Sequence, residues 1–134
     1  MSADASRALL RRWYDEMWPG GRPDLILELV GETYTRHESG NTRVVTAAAY
    51  REQVAALMQS IQIRDLHYSL FAEDDRVCAI GSWRLDEGEW DWVQAFRVCE
   101  GRLVETWLSG VATQGEGWLS SGAYARLDTV VAPI

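Results

Sequence analysis

The sequence has little with which to build a metal centre or a disulfide framework. Its two cysteines, Cys78 and Cys99, stand in no CxxC or His-rich spacing, so both read as free thiols and no metal or other cofactor is expected. Basic residues are outnumbered by acids, 13 against 20, for a net charge of -7. That leaves no basic stripe to neutralise phosphates and argues against nucleic acid as a partner. No apolar run is long enough to span a bilayer, and the N-terminal MSADASRALLRRWYDE lacks the apolar centre of a signal peptide. The expectation is a cytoplasmic protein with no membrane contact. There is also no repeat or low-complexity tract, and the 134 residues suffice for one domain with one core.

Tryptophan, by contrast, is plentiful. The seven are Trp13, Trp18, Trp83, Trp90, Trp92, Trp107 and Trp118, and so many large rings line either a core or a pocket for a flat, apolar ligand. Leu10, Trp13, Tyr14 and Met17 recur at helical spacing between Arg7, Arg11, Asp15 and Glu16, which predicts an amphipathic helix over about 4–18 with Tyr14 facing inward. Pro19-Gly20-Gly21 ends it, and Pro23 suits the first turn of a second helix running to about Val30, the two forming a hairpin. A short strand over Glu32–Glu38 closes on His37 and Glu38. Thr46 caps a third helix through about Ser60, in which Tyr50, Val54, Leu57 and Met58 share the inner side.

From Gln62 the period changes. IRDLHYSLFAE, RVCAIGSWRLD, EWDWVQAFRV and RLVETWLSGVA read as four strands of an antiparallel meander, broken at Asp74-Asp75, Glu87-Gly88 and Glu100-Gly101. Helices followed by such a sheet belong to the α+β class, with a curved sheet wrapping the long helix around an apolar cavity. A two-residue turn at Glu87-Gly88 pairs Trp83 with Trp92, Leu85 with Trp90 and Gly81 with Gln94, so three tryptophans and Gln94 share one face while Arg84 faces the other way. A three-residue turn with Gly101 left-handed sets Gln94 opposite Thr106. A tighter turn reverses that parity, which leaves Glu105 and Trp107 open. Residues 111–134 form a Gly-rich tail that either lids the cavity or packs on the sheet through Trp118.

The order of these pieces, WYDEMW, ETYTRHES, DRV, AFRV and GRLVETW, spanning about Ala8 to Val111, resembles the SnoaL-like polyketide cyclases. These sit within the nuclear-transport-factor-two-like superfamily, which also includes ketosteroid isomerases. The resemblance implies a cone-shaped α+β barrel, three N-terminal helices on a strongly curved antiparallel sheet, an internal apolar cavity, and a homodimer formed through the outer sheet face. It also implies roles: Tyr14 as a hydrogen-bond donor to a substrate oxyanion, Gln94 as a second donor where the isomerases have a carboxylic acid, Glu38 as the general base, and His37 as the strand-end histidine of SnoaL-like sequences. The chain departs from the cyclase pattern at Val111, where an acid is typical. Arg84-Leu85-Asp86 imitates the Arg-x-Asp of limonene epoxide hydrolases, but Ser109 stands where those enzymes place a further aspartate.

Proton transfer beside a carbonyl needs a base and donors aimed where negative charge develops. Glu38, Tyr14 and Gln94 supply these types. His37 and Glu38 are adjacent on a strand and point to opposite faces, so one of them reaches the cavity. Asp65 and His67 share a face of the next strand and either pair with that residue or form a solvated edge. Trp83, Trp90, Trp92 and Phe96 from the sheet, with Trp13 and Met58 from the helices, make the expected substrate wall. Three readings follow: a cofactor-free isomerase, cyclase or dehydratase acting on a small hydrophobic, polyketide- or steroid-like molecule; a binding protein with the same cavity and no turnover; and an interaction protein using the outer sheet face. Epoxide opening is a weaker variant of the first.

Overall fold

A computed structural model describes residues 2–38, 40–113, 116–124 and 127. The first helix, α1 (Ala3–Arg11), starts at Ser2, whose side chain accepts from the Ala5 N–H at 3.1 Å, and runs on as a wider π-helical stretch over Arg12–Met17. Leu10, Trp13, Tyr14 and Met17 are buried, as their spacing requires. Gly21 then takes a left-handed backbone (φ 61°), and the Arg22 N–H reaches back to the Met17 carbonyl at 3.0 Å. One 3₁₀ turn (Pro23–Leu25) leads into α2 (Ile26–Leu29), which is tied to the first helix by Arg12–Glu28 at 2.9 Å.

Next comes a hairpin, β1 (Val30–Glu38) and β2 (Asn41–Thr46), followed by α3 (Ala47–Ser60). Thr46 caps α3 by accepting from the Ala49 N–H at 3.0 Å. The meander is β3 (Arg64–Glu73), β4 (Arg76–Leu85), β5 (Gly88–Cys99) and β6 (Arg102–Ala112). Together the strands make one curved six-stranded sheet in the order β2-β1-β6-β5-β4-β3, with the helices against its concave face.

Two features differ from the sequence expectation. Strand β2 was not foreseen, although Thr42, Val44, Val45 and Thr46 form a β-branched run just after a turn glycine, Gly40. And β1 runs parallel to β6, so the sheet is mixed rather than wholly antiparallel. Its end strands, β2 and β3, do not pair, so the cone is open along one side.

Register errors in the meander cancel by parity. The β4–β5 loop is Asp86-Glu87, so Trp83 pairs with Trp90 and Gly81 with Trp92. That is a slip of two residues, which leaves every side chain on its expected face. In β5–β6 the tighter turn does occur: Cys99 pairs with Arg102 across Glu100 and Gly101, both at positive φ. A bulge at Val104 then restores the parity, so Gln94, Phe96, Thr106 and Leu108 share the concave face while Glu105 and Trp107 face out.

The described part of the tail lies on the convex face, not over the cavity. A short helix, α4 (Trp118–Ser121), caps the buried carboxylates of Asp91 and Glu89. The Trp118 N–H donates to Asp91 at 3.2 Å, and the Ser120 hydroxyl to Glu89 at 2.8 Å. Tyr124 and Ser82 hydroxyls meet at 2.9 Å, and Ser82 donates to Asp91 at 2.6 Å. The rest of the expected lid falls outside the described residues.

The Trp92 ring lies directly across Gly81, where an added Cβ would sit 2.3 Å from two ring carbons. On the other neighbouring strand a Cβ at Gly110 would meet the Trp92 Cβ at 3.0 Å. Overfilling so tight a contact costs about 1–3 kcal/mol. Gly81→Ala is therefore expected to lower the urea midpoint and weaken the near-ultraviolet dichroism of the tryptophans. An unchanged midpoint would show that Trp92 can move aside freely.

Candidate active site

Two adjoining cavities open on the concave side of the sheet. The larger, about 570 Å³, is lined by Glu38, Leu57, Ile61, Trp83, Trp90 and Trp92 among others. The smaller, about 330 Å³, reaches under the helices to Trp13, Trp18, Arg36, Arg43, Tyr50 and Gln94. Glu38, Leu57, Trp83, Trp92 and Leu108 border both. Their combined wall is a chain of aromatic contacts, Trp13–Trp18–Trp83–Trp92, with successive centroids 6.2, 5.9 and 5.3 Å apart. This is the Trp-lined pocket expected from the face count of β4 and β5.

Tyr14 lies behind that wall. It is 1% exposed, stacks on Trp92 (5.2 Å, 19°) and packs edge-on to Phe96. Burial pushes its phenol well above the usual value, so it is a neutral donor at any working pH. Its hydroxyl donates to Gln94 Oε1 at 2.8 Å, Gln94 Nε2 donates to Thr106 Oγ1 at 3.0 Å, and the Thr106 hydroxyl donates to the Ala95 carbonyl at 2.9 Å. Because Thr106 spends its only proton on a carbonyl, the direction of the whole chain is fixed. Tyr14 and Gln94 are thus brought together as expected, but each satisfies the other. Only Gln94 borders the cavity.

Strand parity settles the His37/Glu38 pair. Glu38 is the inward member and borders both cavities, while His37 lies on the convex face. There its ring stacks on Trp107 at 5.3 Å and bonds Thr42 at 2.8 Å and Glu105 at 2.7 Å. That hydrogen bond, with Arg97 beside it, holds the Glu105 carboxyl below its ordinary value. Asp65 is also outside: at positive φ on β3 it pairs with Arg84 at 2.8 Å. Arg84 in turn reaches Glu89 and Ser120, so Arg84-Leu85-Asp86 contributes no cation to the pocket. His67 packs against the Tyr124 ring at 4.1 Å. Of the apolar candidates, Trp13, Trp83, Trp90 and Trp92 line the cavities, whereas Phe96 is in the core and Met58 packs against it.

Sequence reasoning missed two pocket residues, Arg36 and Arg43. Both donate to Glu38 Oε1, Arg36 through Nη2 and Arg43 at 3.2 Å. Arg36 is also held by Gln53 at 3.4 Å and lies over the Tyr50 ring at 4.5 Å, where burial pushes the Tyr50 phenol up to about 12 against the opposing guanidinium. The period-two rule was enough to find Arg36, two residues from Glu38 on one strand. Arg43 needed strand β2. Among the described residues no group of three or more His, Cys, Asp or Glu is placed to hold a metal ion.

Chemically, the arrangement is an apolar, aromatic chamber with one carboxylate and two guanidiniums at its side. Fold and site together define an open α+β cone with an apolar, aromatic pocket on its concave side. The SnoaL-like domain family matches residues 10–106, and the chain belongs to that family. Among solved structures, a putative polyketide cyclase from Acidithiobacillus ferrooxidans is similar over 98% of this chain and 100% of its own, at 20% identity and a TM-score of 0.68. The putative polyketide cyclase IdmH from Streptomyces antibioticus is similar over 78% of this chain and 91% of its own, at 16% identity and a TM-score of 0.62. A LEH-like epoxide hydrolase from M. tuberculosis is similar over 79% and 82%, at 11% identity and a TM-score of 0.68. At these identities the likeness establishes the shared fold. No curated protein sequence matches the chain.

Removing the Tyr14 hydroxyl leaves Gln94 Oε1 without its partner in a part-buried setting, a loss of about 1 kcal/mol. Tyr14→Phe is expected to lower stability by that amount in chemical denaturation. A midpoint equal to wild type would mean that the hydroxyl is not engaged with Gln94 in solution.

Proposed function

We propose that the protein is a cofactor-independent acid/base enzyme that moves a proton next to a carbonyl of a small, apolar, polyketide-like molecule. The observation that carries this is Glu38, the only carboxylate bordering either cavity among the described residues, set against a tryptophan wall. Both guanidiniums bond the same oxygen, Oε1, so Oε2 is left to accept a proton from a ligand carbon. Arg36, fixed by Gln53 and Tyr50, supplies the positive charge that stabilises the enolate as it forms. Isomerisation, ring closure and dehydration all pass through such a step, and the pocket does not distinguish them.

One observation favours a second reading, ligand binding without turnover. Tyr14 and Gln94 are closed on each other, so the Tyr14 hydroxyl, the stronger of the two neutral donors, is spent inside the protein. The two readings separate on one measurement, α-proton exchange into heavy water for apolar cyclic ketones such as 2-tetralone, followed by NMR. The enzyme reading expects catalysed exchange that falls at least ~100-fold in Glu38→Gln and persists in His37→Gln and Asp65→Asn. Ketone binding with no catalysed exchange would establish the second reading instead.

A further concavity, about 650 Å³, lies not in the cone but on the convex face, along Phe71, Cys78, Ala95, Arg97 and Trp107. Trp107 is 44% exposed and Val93 39% on that same face. Such a groove, bordered by Glu73, Arg76 and Arg97 rather than by groups converging on one point, suits a protein surface better than a substrate. It supports pairing of two copies through the sheet. Sedimentation is expected to give twice the 15.2 kDa chain mass, reduced to a monomer by Trp107→Glu. A wild-type monomer at micromolar concentration would rule the dimer out.

A further inference from the structure

We infer that the pocket is shaped for an apolar ligand that carries a carboxylate, held at the mouth by Arg43. This rests on the reading of the concave cavities as a ligand site.

The argument starts from charge. The chain is acidic, -7 overall, and its 13 cations are all arginines. With 20 acids to draw on, several arginines elsewhere are matched to two carboxylates each. Arg12 contacts Glu16 and Glu28, Arg51 contacts Asp24 and Glu52, and Arg84 contacts Asp65 and Glu89. At the pocket the ratio is reversed. Among the described residues, Arg36, Glu38 and Arg43 are the only charged side chains bordering the two cavities, two cations sharing one anion. The site therefore holds a surplus positive charge inside a negatively charged molecule.

The backbone makes this surplus costly. Arg36 and Arg43 are direct cross-strand partners in the β1–β2 hairpin and project from the same face. Like charges opposite each other destabilise a sheet, and Glu38 can offset only one of them. Arg36 has packing reasons to be there, its stack on Tyr50 and its bond to Gln53. Arg43 has none of these: its one bond among the described residues goes to Glu38, at 3.2 Å, and its side chain is 53% exposed at the cavity edge. A guanidinium has five N–H donors in a planar fork that fits a carboxylate with two parallel bonds. Most of that fork is unspent. A ligand carboxylate placed there removes the surplus charge, while Trp83, Trp92, Leu57 and Leu108 take the apolar body of the same molecule.

The test is paired calorimetric titration of 2-naphthoic acid and its neutral isostere 2-naphthamide at pH 7 and low salt, with ligand-observed NMR as a second readout. The inference expects the acid to bind at least ten-fold more tightly than the amide. Arg43→Gln should abolish that preference. Glu38→Gln, which removes the competing carboxylate, should widen the preference for the acid several-fold. Equal binding of acid and amide to wild type overturns the inference while the pocket reading stands. A preference for the acid that survives Arg43→Gln overturns it too, since the anion then sits elsewhere. If neither compound binds, the ligand-site reading and the inference fall together.

Discussion

The structure turns on how one ring is housed. Trp92 takes its place because the neighbouring strands present glycines on both sides, Gly81 under the ring and Gly110 beside its Cβ. Housed there, the indole offers a flat surface to Tyr14, and the phenol stacked on it is brought within reach of Gln94. The first helix must approach closely for this contact, and it does so through the widened turn that carries Trp13, Tyr14 and Met17. Core, pocket wall and polar chain thus share a single contact. Aromatic stacking of this kind contributes only about 0.5–1.5 kcal/mol beyond buried area. Its importance here is positional: it sets the depth of the cavity floor.

Against that apolar floor, the chemistry is confined to one side. A carboxylate bridging two guanidiniums is a different device from a carboxylate isolated among rings. The polar chain of Tyr14, Gln94 and Thr106 runs from one hydroxyl to a backbone carbonyl with both hydroxyl protons spent inside it, and such networks mainly hold a core in one arrangement. The division is between a rigid neutral network behind the wall and a charged, partly solvated trio in front of it.

Much of this was legible from residues alone. Side-chain parity is the most robust quantity in a meander, because turn errors of two residues do not change it. Trp83, Trp90, Trp92 and Gln94 therefore fell on the right face even though every pairing in that hairpin was displaced. The inward position of Tyr14 followed from helical spacing, and the α3 cap from Thr46. What escaped was non-local. That β1 lies parallel to β6 depends on where the chain returns between Glu38 and Arg102, and no short pattern encodes it. Which of His37 and Glu38 turns inward was undecided for the same reason, since a strand's faces acquire meaning only when its neighbour is known. The convex-side docking of Trp118–Ser121 rests on buried Asp91 and Glu89, which in the sequence look like ordinary solvated acids of an outer face.

The β1–β2 hairpin has an implication for how such a protein diversifies. Arg36, Glu38 and Arg43 all lie within one continuous stretch of eight residues on a two-stranded ribbon at the edge of the sheet, bonded to the rest of the sheet only through β6. None of the three belongs to the core cluster that holds the helices to the strands. The ionic equipment of the cavity is thus encoded in one short segment, while the aromatic chamber is encoded elsewhere. A handful of neighbouring codon changes between 36 and 43 would replace the chemistry and leave the ribbon's own core residues, Val30 and Tyr34, in place.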